Sequence, residues 1–464
     1  MDKFWKIKER GSTPRVEILA GITIFFATVY TVIVNPNNIS GGITINPELW
    51  NGVFFASCIA AAIGTLLMAF YAKLPFAQAP GMGLSAVFAF TAMPAIAVLT
   101  SMGDSTADAI KTYQMTLPIV LISGVLFLLI SLVGLREKII NGIPKNIKLA
   151  LGAGIGLFIT LLGLKNAGIS VPQQATLLTL VNFGARDQAT LGALLAILGV
   201  LIIAVLQAHK VKGSILIGII TTTILTYVTG FKTLDSFSYN LGQQAHDFAA
   251  TSLFRLDFVS LFTAGNLGPI LGKMLALILA FFLVNMFDSM GTIYGVASSA
   301  GMVDKKTGEV RGLKKGLMAD AMATTAGGLA GTSTITTVVE SSAGIGEGGR
   351  TGLTAFVTGI LFIVAIFLAP FIALIPDVAT APALIFVGCL MMSGIKDVDF
   401  SNISEGLPAF LTIAMMPMTF SITNGIAFGL VSWVILKVCT GKYKEIKITT
   451  VVVSILFVLQ YFLQ

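Results

Sequence analysis

Apolar runs of roughly 20 residues, the length a helix needs to cross a hydrocarbon core of about 30 Å, recur from Glu17 almost to the C-terminus. Clusters of Pro, Gly, Asn and charge divide them. The pattern predicts helical spans near 17–34, 51–72, 115–134, 147–164, 190–208, 213–230, 269–300, 315–330, 351–373, 378–394, 405–421 and 423–439. Two further stretches, 76–93 and 332–348, are apolar or small but interrupted, one by Pro-Gly-Met-Gly at 80–83 and the other by a Thr-rich run. A last run, 447–463, reads as an interfacial helix or a marginal extra span.

Counting both interrupted stretches as crossings gives fourteen, and the loop charges test that count. With the N-terminus inside, cytoplasmic loops and tails hold 23 of the 29 Lys and Arg residues, the exceptions being Lys111, Lys165, Arg186, Lys232, Arg255 and Lys273. Dropping one interrupted stretch moves half of the basic loops to the wrong side. Residues 212–230 resemble 423–441 in their small residues, apolar run and closing Thr-Gly. The interrupted stretches fall third and tenth, seven crossings apart, so the second half runs through the membrane upside down. The expected fold is therefore an all-α polytopic membrane protein of fourteen segments in two inverted repeats of seven. That is the pattern of a secondary transporter whose site lies at the midplane, where the broken helices meet.

Composition removes the competing classes. Of 464 residues, 55% are hydrophobic and 11% charged, against about 25% charged in a soluble domain. The net charge of +7 sits in short loops, where orientation in the membrane explains it better than nucleic-acid binding. Cys58, Cys389 and Cys439 lie apart in apolar runs, and His209 and His246 lie in loops. Neither a disulfide framework nor a metal site can be assembled, and no cofactor is implied. The start, residues 1–16, is basic, and the apolar run after it has no small-residue cleavage site, so it reads as a cytoplasmic tail.

Among the 22 acidic residues, Asp288 and Glu340 alone fall well inside spans, away from loops and span ends. An ionised carboxylate at the bilayer centre costs about 2.5–3.5 kcal/mol on insertion scales, so such residues are functional by default. Neither has a Lys or Arg within a neighbouring turn, and an unpaired, desolvated carboxyl exchanges protons readily. Ser341 and Ser342 suit an N-cap after the strand-like run 332–339. Pro80, Gly81 and Gly83 keep the other break extended until a helix begins near Ser85. Two opposed helix N-termini then favour carbonyl oxygens or partial negative charge. Gly344 to Thr351, GIGEGGRT, mimics a phosphate loop, but Arg350 stands where its lysine belongs and no soluble strand-helix unit surrounds it. Gly152, Gly154 and Gly156 sit inside an apolar span and read as small-residue helix packing.

The stretches APGMGLSAVFAF, MFDSMGTIYGVASSAGMVD and GTSTITTVVESSAGIGEGGRTGLTA, with NPNNIS after the first span, resemble the AzgA-like adenine, guanine and hypoxanthine permeases of the nucleobase:cation symporter group. The similarity covers essentially the whole chain. It implies a core domain of spans 1–4 and 8–11 (17–135 and 269–375) moving against a gate domain of spans 5–7 and 12–14 (136–231 and 376–440). Residues 232–268 would form an extracellular loop and 441–464 a C-terminal tail. It also implies a proton-coupled purine importer in the plasma membrane, in which Asp288 and Glu340 match the acids that hold the nucleobase. Thr292 matches a pocket position of uracil permeases of the same fold. Ser85 stands where the family more usually has Asn, and Asn285 where an Asp is common, so the purine range is left open.

A purine is flat and neutral, with N–H donors on one edge and acceptors on the other. Glu340 can accept from the donors while half-helix N–H groups serve the acceptors, and Leu84, Phe88 and Phe287 offer a face for the ring. The proton-coupling candidates are Asp288 and Glu340, with sodium as the other driving ion. Lipid is the surrounding partner, and a homodimer is left open. Two alternatives compete: an inorganic anion exchanger of the same architecture, which two acids in the site disfavour, and an intramembrane enzyme using Asp288 and Glu340 as a carboxylate pair.

Overall fold

The computed structural model describes residues 2–42, 45–101, 105–133, 144–173, 177–209, 211, 214–232, 240–263, 267–299, 312–369, 374–420 and 422–462. Seven helical stretches among them are at least 18 residues long and apolar enough to cross a membrane, and five apolar helices of 10–17 residues accompany them. The chain is a multi-pass membrane protein.

Local chemistry sets the helix ends. Asn46 accepts from the Leu49 N–H at 3.1 Å ahead of Pro47–Leu67, and Asp187 accepts from the Thr190 N–H at 2.8 Å ahead of Gln188–Ala208. Each side chain satisfies a donor that the first helical turn leaves unpaired. The first apolar stretch is two helices, Pro14–Thr28 and Thr31–Ser40, joined through Val29 and Tyr30. Thr28 and Thr31 hydroxyls bond back to the carbonyls of Ile24 and Thr28, both at 2.8 Å, which favours bending at that joint.

The helices fall into two packed sets. Pro14–Thr28, Pro47–Leu67, Thr106–Val133, Leu267–Ser299, Leu313–Ala330 and Gly352–Phe367 pack chiefly on one another. Lys145–Asn166, Gln188–Ala208, Ser214–Val228, Asp377–Met391, Ile403–Met418 and Ile422–Cys439 do likewise. Glycine lets the second set close up: a Cβ at Gly156 would lie 2.5 Å from the Gly388 carbonyl, and one at Gly154 2.6 Å from Met416 Sδ. That is the packing role expected of this glycine series.

The two interrupted stretches meet inside the first set. Strand β1 (Gln78–Pro80) would be an isolated three-residue fragment without a partner. A short hairpin, β2 (Ser170–Gln173) with β3 (Leu177–Leu180), lies before Gln188–Ala208. Strand β4 (Ile335–Thr337) then returns to pair antiparallel with β1, Gln78 opposite Thr337 and Pro80 opposite Ile335. The pairing lets each unwound segment supply the backbone partners that a bilayer cannot.

At the end of the chain, Ile448–Phe462 packs on Ile422–Cys439 and Leu267–Ser299. At 1.5 Å per residue, its 15 residues reach about 22 Å, short of a perpendicular crossing.

Candidate functional site

Both strands turn directly into short helices. Met82–Val87 follows β1 after Gly81, and Ser341–Gly346 follows β4 after Glu340. The first helix thus starts earlier than the sequence suggests, at Met82 and not near Ser85. Gly81 donates its N–H to the Thr334 carbonyl at 3.2 Å. A Cβ there would lie 2.6 Å from Thr336 Cγ2 and 3.6 Å from Asp288 Oδ2. Only a residue without a side chain lets the strand crossing and the Asp288 carboxyl come this close.

A cavity of about 250 Å³ opens between the two helix sets. Tyr30, Gly81, Asp288, Thr292, Thr337 and Glu340 line it from the first set. Lys148, Leu151, Gly152 and Ile155 face them from one helix, and Val387, Leu390 and Met391 from another. The spacings i, i+3, i+4 and i+7, and i, i+3 and i+4, are those of single helix faces. One wall is therefore rich in carboxyl and hydroxyl groups and the other almost wholly apolar.

Of the residues expected at a site, Asp288, Thr292 and Glu340 come together around this cavity. Leu84 and Ser85 are fully buried beside it but are not on its surface, and Ser85 Oγ has no hydrogen-bond partner among the described residues. Phe88 packs edge-on against Tyr113 and Phe281, with centroids 5.9 and 6.5 Å away. It is a core residue here, not a platform in the cavity. The Phe287 side chain lies outside the described residues.

Ser341 and Ser342 do not cap their helix. Glu340 occupies the N-cap position, with no side-chain capping bond. Ser341 Oγ instead accepts from the Ala77 N–H at 3.0 Å, tying the helix to the residue before β1, and Ser342 is exposed. The hydroxyl that would have capped the helix is taken instead by this backbone N–H.

The structure adds residues that sequence reasoning passed over. Tyr30, buried in the joint of the first stretch, donates from its hydroxyl to Glu340 Oε1 at 2.5 Å. Asp320, fully buried in Leu313–Ala330, accepts from the Thr337 N–H at 2.8 Å, from Thr337 Oγ1 at 2.9 Å and from Ser289 Oγ at 2.5 Å. It holds β4 to the helix that carries Asp288. Glu17, also fully buried, accepts from the Arg350 and Thr351 N–H groups at 3.0 and 3.1 Å, and from the Thr351 and Thr354 hydroxyls at 2.8 and 2.6 Å. The glycine-rich loop that mimics a phosphate cradle thus holds an internal carboxyl group at the start of Gly352–Phe367, where a helix favours negative charge.

A family model described as the permease family matches residues 15–458. The adenine permease AdeP of Escherichia coli (strain K12) is 36% identical over 462 residues, covering 99% of this chain and 95% of its own. The guanine/hypoxanthine permease PbuO of Bacillus subtilis (strain 168) is 38% identical over 461 residues, covering 98% and 99%. Among solved structures, the transmembrane domain of a cyanobacterium bicarbonate transporter, BicA, superposes with a TM-score of 0.63 over 89% of this chain and 97% of that one, at 18% identity. That likeness is one of fold. The family match and the end-to-end relatives agree with the resemblance carried by the sequence motifs: this chain belongs to the permease family that includes the adenine and guanine/hypoxanthine permeases.

Proposed function

We propose that the chain is a secondary active transporter that imports purine nucleobases, hypoxanthine, adenine and guanine, by proton symport across the plasma membrane. The observation that carries this reading is the cavity in which Asp288 and Glu340 face an apolar wall across the boundary of two helix sets. Carboxyl oxygens accept from the N–H edge of a neutral purine, and the apolar wall takes the ring.

In this reading the chain crosses fourteen times as two inverted repeats, with the N-terminus in the cytoplasm. Residues 17–135 and 269–375 form the moving core, and 136–231 and 376–440 the gate. That each helix packs chiefly within its own set supports that division. Lys148 lies at the start of its helix and Met391 at the end of its own, both cytoplasmic ends in this topology, so the cavity opens inward. Substrate would be released on this side after the acids give up their proton.

The test is uptake of radiolabelled hypoxanthine into proteoliposomes under imposed proton or sodium gradients, with purines and pyrimidines as competitors. Uptake driven by the proton gradient and lost in Glu340→Gln is expected. Wild-type-like binding by purified Glu340→Gln would remove that residue from the site, and uptake driven by sodium alone would replace the proton. Recovery of the base unchanged separates transport from an intramembrane reaction. Lys148 in the cavity wall is the one observation that favours exchange of inorganic anions, against which stand the two acids. Bicarbonate and sulfate in the same assay decide between them.

A further inference from the structure

Lys148 is the only nitrogen- or oxygen-bearing side chain that the second helix set contributes to the cavity lining among the described residues. It shares one helix face with Leu151, Gly152 and Ile155. It is half-buried, and its ammonium has no hydrogen-bond or ion-pair partner among the described residues. By contrast, Lys437 of the same set is buried and satisfied, at 2.8 Å from Glu405 and 2.5 Å from Glu445. A lysine held in an otherwise apolar wall, with no hydrogen-bond or ion-pair partner among the described residues, is poised for a ligand.

Its chemistry restricts that ligand. An ammonium donates three hydrogen bonds and accepts none. The opposite wall presents Asp288 and Glu340, which accept, and the latter already receives the Tyr30 hydroxyl. A flat base lying between the walls must therefore turn N–H groups toward the acids and an acceptor toward Lys148. A 6-oxopurine meets both demands, with the imidazole N–H at N9 turned to the acids and the C6 carbonyl oxygen at the opposite end of the base. Adenine in the same orientation presents an exocyclic amino group, a donor facing a donor. Resting on the purine reading above, we propose that Lys148 is a specificity-determining residue that selects 6-oxopurines over 6-aminopurines by donating to the 6-carbonyl oxygen.

The alternative role for the same cation is electrostatic balance of Asp288 and Glu340, which would act on every ligand alike. The two are separated by selectivity, not by activity. Competition against radiolabelled hypoxanthine is measured in proteoliposomes with unlabelled hypoxanthine, guanine, adenine and unsubstituted purine, for wild type, Lys148→Met and Lys148→Arg. Wild type should prefer the oxopurines. Lys148→Met should weaken hypoxanthine and guanine about tenfold or more, the effect of losing a charged hydrogen-bond donor, while adenine and purine change little. Lys148→Arg should restore most of the preference.

Equal losses for all four bases, an unchanged ratio in Lys148→Met, or a wild type that prefers adenine would each overturn the assignment. If Lys148→Met is poorly folded, Lys148→Gln, assayed for base binding by the purified protein, reads the same ratio. Absence of any purine uptake by the wild type would instead defeat the purine reading, and the two failures remain distinct.

Discussion

The Tyr30 hydroxyl donates to Glu340 Oε1 at 2.5 Å, joining residues 310 positions apart. The bond links the joint of the first apolar stretch to the residue that opens the helix Ser341–Gly346. One carboxyl oxygen is thereby engaged and oriented, which leaves the other for a ligand. Tyr30→Phe keeps the ring and removes the donor. A hydrogen bond to a charged group contributes about 1.5–3 kcal/mol to stability; without it the Glu340 carboxyl is free to turn, so purine affinity should fall if Glu340 holds the base in this orientation. Calorimetric titration of the purified variant measures it. Unchanged affinity would detach the tyrosine from the site.

Much of this arrangement is legible in the sequence, for a physical reason. Spans and their interruptions are written in local composition, because the bilayer demands long apolar runs and makes breaks in them conspicuous. Asp288 and Glu340 stand out on the same ground. Tyr30 does not, since one tyrosine beside an apolar run carries no sign of a partner 310 residues away. Lys148 reads as one more basic residue near a cytoplasmic span end, and only helix packing turns it toward a cavity. Glu17 and Asp320 sit near the ends of apolar runs, where acids are ordinarily solvated, and their burial depends on which strand or loop folds over them. Ser341 reads as a cap because capping preference is local, whereas the competing Ala77 N–H comes from just before β1, 264 positions away.

Asp320 should be a positioning residue. It accepts from the backbone and hydroxyl of Thr337 on β4 and from Ser289, next to Asp288. Asp320→Ala strands buried donors, each costing about 1–3 kcal/mol. The variant should melt well below wild type and lose purine binding. Asp320→Asn keeps one acceptor oxygen and should fall between the two. Thermal unfolding of the purified proteins in detergent ranks them, and an Ala variant as stable as wild type would contradict the network.

Glu17 gives a similar stability prediction without a ligand effect of its own. Its carboxyl group fastens Pro14–Thr28 to the start of Gly352–Phe367 and does not line the cavity. Glu17→Ala leaves two backbone N–H groups without that partner, a loss of at least about 2 kcal/mol, and should lower the melting temperature. Purine affinity of the folded fraction should stay close to wild type. A selective loss of affinity at unchanged stability would mean that the loop 344–351 communicates with the site.

Under the proton-symport reading proposed above, Asp288 is the better candidate for the coupling residue. It sits within the continuous helix Leu267–Ser299, whereas Glu340 lies at a helix break and already receives the Tyr30 hydroxyl. Asp288 has no such donor among the described residues, and a carboxyl in that setting loses more on leaving water as an anion than one that has it. Proton uptake by Asp288 would cancel a buried charge before the core moves past the gate. Asp288→Asn mimics the protonated form, so the variant should still exchange purine across the membrane while failing to concentrate it. Counterflow and gradient-driven uptake, measured in the same liposomes, separate the two activities. If Asp288→Asn accumulates hypoxanthine in response to an inward proton gradient as well as wild type does, Asp288 does not couple the proton, and Glu340 is left as the cavity acid to test next.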